Sequence, residues 1–117
     1  VRIDDRIREI EEAARRFVFV RQIVRVDETY YSVKFRLYIE PDLYAQLYFN
    51  ERSGTVGLAL VYQGQRLYGR DCETGRWHRH PADDPAAHDV SSEGTRPIDV
   101  QEFLAEVQEV LIQTGLI

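Results

Sequence analysis

YYSVKFRLYIEPDLYAQLYFN, Tyr30 to Asn50, decides the fold of this chain. Tyr31, Val33, Phe35, Leu37 and Ile39 alternate strictly with Tyr30, Ser32, Lys34, Arg36, Tyr38 and Glu40. A period of two with apolar residues on one side marks a half-buried strand. Pro41-Asp42 interrupts it, and Leu43, Ala45, Leu47 and Phe49 then resume the same period. Two such runs joined by a tight break predict neighbouring antiparallel strands.

Outward from this pair the pattern continues. Downstream, Arg52-Ser53-Gly54 turns the chain into TVGLALVYQ (residues 55–63), a nearly continuous apolar run suited to a central strand. Gly64 punctuates, and RLYGRD (residues 66–71) returns as the last strand. Upstream, FVFVRQIVRVD (residues 17–27) is rich in β-branched and aromatic residues and predicts the first strand. Residues 2–16 predict an amphipathic helix, with Ile3, Ile7, Ile10 and Ala14 at three- and four-residue steps. Asp4 and Asp5 lie in its first turn and Arg15 and Arg16 in its last, as the helix dipole favours. DVQEFLAEVQEVLIQTG (residues 99–115) predicts a second helix, opened by a capping box of Asp99 and Glu102 and stopped at Gly115. Residues 72–97 contain Pro81, Pro85 and Pro97 without periodicity and are expected to form a long loop. The whole is one α+β domain over residues 1–117. It is expected to be a five-strand antiparallel meander with the N- and C-terminal helices packed on one face.

The composition, 44% hydrophobic and 30% charged, is that of an ordinary globular protein. One cysteine excludes an internal disulfide framework, and a reducing cytoplasm is the expected compartment. No apolar run approaches the length of a membrane span and no signal-peptide pattern opens the chain, so no membrane partner is expected. The net charge of −5 argues against a general coating of nucleic acid. The charge is uneven, however: Arg66 to His80 holds four arginines against Asp71 and Glu73, a local +2 that leaves −7 for the remainder.

If Tyr31, Val33, Phe35, Leu37 and Ile39 face the helices, then Lys34, Arg36 and Tyr38 face away, joined by Tyr44, Gln46 and Tyr48. Simple alternation adds Arg66, Tyr68 and Arg70 to this open face. Aromatic rings with interleaved Arg suit a single-stranded nucleic acid, by stacking plus phosphate contact. Tyr and Arg on a sheet also serve as cross-strand neighbours, or as a dimer or protein interface.

YGRDCETGRWHRHPADDPAAH (residues 68–88) holds every histidine, the cysteine and the tryptophan. Three chemistries compete for it. Metal-free acid–base cleavage of RNA needs a group to take the 2′-hydroxyl proton and another to protonate the leaving oxygen. Imidazole does both near neutral pH. His78, His80 and His88 are the catalytic candidates, Arg70, Arg76 and Arg79 the phosphate contacts, and Trp77 or Tyr68 a stacking surface. Lys34 and Arg36 extend the binding face, and no cofactor or metal is needed. A hydrolytic metal site would use His78 and His80 with His88, Asp83, Asp84 or Asp89; arginines nearby oppose a dication. Cysteine catalysis through Cys72 lacks any local signature.

The pieces VYQGQRLYGRD, Arg70-Asp71, His78, His80-Pro81 and His88, in this order of elements, resemble the TumE-like toxins of toxin–antitoxin pairs. The resemblance implies a toxin acting on RNA and partnered by a helix-turn-helix antitoxin. The leading expectation is therefore a metal-independent endoribonuclease. The alternative is a non-enzymatic module that dimerises or binds a protein through its Tyr/Arg face.

Overall fold

A computed structural model describes all residues, Val1–Ile117. Its order is α1 (Ile3–Arg15), β1 (Gln22–Glu28), β2 (Ser32–Glu40), β3 (Leu43–Asn50), β4 (Val56–Tyr62), β5 (Gln65–Glu73), β6 (Arg76–His80) and α2 (Val100–Gln113). The strands form one antiparallel sheet in sequence order, six rather than five. The additional strand falls inside the stretch expected to be loop. Thr74 and Gly75 both take positive φ, 50° and 78°, and close a two-residue hairpin between β5 and β6. Gln63 and Gly64 do the same between β4 and β5. Two central residues at positive φ match the right-handed twist of the flanking strands. Thr is a poor residue for that position, and this hid the second hairpin.

The first strand also starts later than its composition suggests. Phe17–Val20 forms a turn after α1, with Phe17 and Phe19 in ring contact, and β1 begins at Gln22. β1 is an exposed edge strand. It is guarded by Arg25, Asp27 and Glu28 and by a bulge at Val26, devices that discourage pairing with another chain.

Register makes the core. Phe35, Leu47 and Leu58 stand in one cross-strand row, and Leu37, Ala45, Leu60 and Tyr68 in the next. All are buried, and they share one apolar cluster with Ile10 and Ala14 of α1 and Phe103, Leu104 and Val107 of α2. α1 meets β2 and β3, α2 meets β5, and the helices meet each other, where the Val100 amide donates to Glu9 at 3.0 Å. The expected capping box is formed: Asp99 accepts from the Glu102 amide, and Glu102 accepts from the Asp99 amide. No helix is long and apolar enough to cross a membrane.

A bulge at Leu67 corrects the face assignment of β5. Val61 pairs with Arg66, but Leu60 pairs with Tyr68, so Leu67 is an extra residue. One extra residue sends every later side chain to the other face. Arg66 therefore keeps its place on the face opposite the core, while Tyr68 and Arg70 turn into the core. Gly69 and Asp71 take the positions that simple alternation denies them.

Candidate functional site

Three rows cross the face opposite the core. Lys34, Tyr48, Gly57, Asp71 and His78 form the first, and Arg36, Gln46, Ala59, Gly69 and His80 the second. Tyr38, Tyr44, Val61 and Arg66 form the third. The side chains are long on β2 and β3, minimal at Gly57, Ala59 and Gly69, and imidazole on β6. The result is a shallow trough with an aromatic and basic wall at one side and histidines at the other. Four inter-strand steps separate Arg36 from His80, roughly 19 Å at about 4.8 Å per step. The wall is held in place by Arg36, whose Nε donates to Gln46 Oε1 at 3.1 Å and whose guanidinium lies 4.5 Å from the centre of the Tyr44 ring.

At the far side the three imidazoles touch. Ring centres are 5.0 Å apart for His78–His80, 4.7 Å for His78–His88 and 4.8 Å for His80–His88. His78 and His80 come from alternate positions of β6. His88 comes from the returning loop, whose Asp89 pairs backbone to backbone with Arg79 and adds a rung to the sheet edge. Arg79, on the other side of β6, donates through Nε to Asp89 Oδ2 at 2.9 Å. It is the clasp that brings His88 in, and its expected role as a phosphate contact is taken by this carboxylate.

Asp71 stands opposite His78 in the hairpin. Its Oδ2 is 3.2 Å from His80 Nε2 and 3.6 Å from His78 Nε2. His80 Nδ1 is 2.9 Å from the Pro85 carbonyl oxygen. His80 is buried, and this pushes its pKa below the ordinary imidazole value; the Arg66 cation adds to the push, while the Pro85 carbonyl and the Asp71 carboxylate oppose it. Arg66 reaches over Gly69 to within 3.9 Å of Asp71. Beside the cluster lies an open depression of about 460 Å³ whose lining includes Arg76, Trp77, His78 and His88.

Arg70 and Tyr68 lie elsewhere. Arg70 has no exposed surface. Its Nε and Nη2 donate to the two Glu106 oxygens at 3.1 and 2.7 Å, and Nη1 donates to the Glu93 carbonyl at 2.7 Å. Tyr68 donates its hydroxyl to Glu106 at 2.7 Å, and burial followed by that carboxylate pushes its pKa up to about 12. Both tie α2 to the sheet and neither faces the trough. Burial also pushes the Cys72 thiol up, away from the thiolate that nucleophilic catalysis needs. Lys34 and Arg36 lie on the trough wall as expected. Asp71 and Arg66, which were not among the expected site residues, join the histidines. The signal for Asp71 was the Thr74-Gly75 turn, since a two-residue hairpin there sets Asp71 against His78.

Two local predictions follow from the clasp. Gly94 is buried with its α-carbon against Asp89; a β-carbon there would collide with the Asp89 carbonyl oxygen and sit 2.7 Å from its Cγ. Gly94→Ala is expected to cost about 1–3 kcal/mol through overpacking and to displace His88. A thermal melt and the His88 ring resonances read both effects, and an unshifted His88 signal would contradict the positioning role. The Asp89 carboxyl is held at about 2, against an ordinary 3.8, by the Ser91 hydroxyl and amide and then by Arg79. A depressed carboxylate contributes fully above its unfolded value and is lost as pH falls through its folded one. The Asp89–Arg79 pairing is therefore expected to hold at pH 4.5 and to loosen towards pH 2, in an NMR titration that follows the Asp89 carboxyl carbon.

Fold and site together define an α+β protein with a histidine–aspartate cluster at the edge of an antiparallel sheet. Comparison with protein-family models, with curated proteins and with solved structures gives no match.

Proposed function

We propose that the protein binds single-stranded RNA along the trough and breaks its phosphodiester bonds at the His78, His80, His88 and Asp71 end. The carrying observation is the register, which sets the Lys34 and Arg36 rows in line with His78 and His80 across a floor of Gly57, Ala59 and Gly69. Small residues between a stacking wall and titratable groups leave room for a ribose-phosphate chain. The reading takes both helices to lie on the core side, so that this face is free.

Each residue then has a task. Tyr44 and Tyr48 offer rings to bases, and Lys34, Arg36 and Arg66 offer charge to phosphates. Cleavage through the 2′-hydroxyl needs a proton acceptor and a donor for the departing oxygen, and imidazole is the side chain on this face that can fill both roles. Of the three expected phosphate contacts, Arg76, exposed beside His78 and His88, is the one left to this role, since Arg70 and Arg79 are held by carboxylates. The likeness to TumE-type toxins favours the same substrate and adds a helix-turn-helix antitoxin as partner.

Incubating the folded protein with a single-stranded RNA oligonucleotide and its duplex tests this reading. Preferential cleavage of the single strand is expected. Lys34→Glu with Arg36→Glu should raise KM and leave kcat nearly unchanged, because binding is lost equally in ground and transition states. Intact RNA of both kinds would defeat the proposal.

A further inference from the structure

The histidine cluster brings ring nitrogens of three side chains together, with a carboxylate oxygen beside two of them. His80 has an oxygen acceptor at each ring nitrogen: the Pro85 carbonyl at Nδ1, 2.9 Å away, and Asp71 Oδ2 at Nε2, 3.2 Å away. A neutral imidazole carries one proton. The carbonyl, which cannot supply one, takes the Nδ1 hydrogen. The Nε2 position then faces a carboxylate oxygen, where either a second proton or a metal ion satisfies both groups. His78 Nε2 faces the same oxygen at 3.6 Å, beyond hydrogen-bond length. Two imidazole nitrogens and a carboxylate oxygen thus converge, a donor set that suits a metal ion.

We infer that His78, His80, His88 and Asp71 bind a single divalent transition-metal ion of the zinc class. Metal–nitrogen bonds of 2.0–2.1 Å and metal–oxygen bonds of 2.0–2.2 Å in a tetrahedron give ligand–ligand edges of roughly 3.4 Å. The two edges that meet at Asp71 Oδ2, 3.2 and 3.6 Å, bracket this value. The ligating nitrogens of the three histidines all lie within 4.8 Å of one another, so modest rotation of the exposed His88 ring completes the set. Imidazole with one carboxylate suits zinc, nickel or cobalt rather than magnesium or calcium, which prefer oxygen alone. The Pro85 carbonyl on the far nitrogen of His80 is the outer contact that fixes a metal-binding tautomer.

The packing also lifts the charge objection raised by the arginines of this segment. Arg70 is held by Glu106 and Glu93, and Arg79 is held by Asp89. Arg66 approaches Asp71 at 3.9 Å and Arg76 lies beside His78 and His88, both on side chains exposed enough to turn away.

This goes beyond the RNA reading and stands apart from it. With an ion in place, a water on the metal would replace a free imidazole as proton acceptor, yet binding is measured without RNA. Protein stripped with a chelator is titrated with Co²⁺ while its visible absorption is followed, and Zn²⁺ is then added in competition. One equivalent of Co²⁺ with the intense bands of a tetrahedral site, displaced by one equivalent of Zn²⁺, is expected. His88→Ala, at an exposed position, and Asp71→Asn, which keeps the shape, should each weaken binding at least about 10-fold. His80→Ala is avoided because His80 is buried. Absence of the bands in the folded protein, or an affinity unchanged in both variants, would overturn the assignment. Loss of the RNA activity alone would leave it standing.

Discussion

Replacing Arg70 by Ala is expected to lower the melting temperature by roughly 10–15 °C, the largest stability effect among the residues of the 68–88 segment. Arg70 is fully enclosed and makes four hydrogen bonds, to both Glu106 oxygens, the Glu93 carbonyl and the Glu93 carboxylate. Removing one partner of a buried ion pair costs about 3–5 kcal/mol, chiefly because the other charge is left behind. Glu106 retains 22% side-chain exposure and regains some water, which places the loss near 3 kcal/mol. Arg76→Ala, at an exposed position, is the control and should stay within about 0.5 kcal/mol. The double change Arg70→Met with Glu106→Leu is expected to cost less than the two single changes together, since neither leaves a charge stranded. Equal melting temperatures for Arg70→Ala and Arg76→Ala would show that the pair does not hold α2 to the sheet.

His88→Ala should separate activity from stability in the opposite sense. The residue is exposed, so its loss should change the melt by no more than about 0.5 kcal/mol. Yet it touches both His78 and His80 in a cluster to which no other loop residue contributes a ring. Whether the imidazole moves a proton itself or holds an ion whose water accepts it, such a group contributes about 10²-fold or more, and kcat for RNA cleavage is expected to fall by at least that factor. The same drop is expected for His78→Ala. Cleavage by either variant at the parent rate would remove the cluster from the chemistry. A parallel rise in KM without loss of kcat would move it to the binding surface.

Much of the architecture was legible from pattern alone, and the reason is local. The alternation through residues 30–50 specifies which side chains are buried, because a strand slipped by one residue would expose all of them. α2 was announced by Asp99 and Glu102, whose reciprocal hydrogen bonds need only four consecutive residues. What escaped was set by departures from strict alternation. The bulge at Leu67 moved Tyr68 and Arg70 into the core, and no property of QRLYGRD taken alone distinguishes a bulged strand from a regular one. The Thr74-Gly75 hairpin was missed because Thr seldom takes positive φ, and with it went β6 and the place of Asp71.

By itself, then, the sequence determined the meander, its buried rows, both helices and the gathering of all titratable imidazoles in one segment. The tertiary structure decided which charges in that segment are available. Arg70 is spent on Glu106 and Arg79 on Asp89, while Asp71 and Arg66 are turned towards the histidines. The physical reason is range: burial periodicity and capping act between residues a few positions apart. Whether an arginine meets a carboxylate from 36 residues away, or a phosphate, depends on how helix, hairpin and loop pack together.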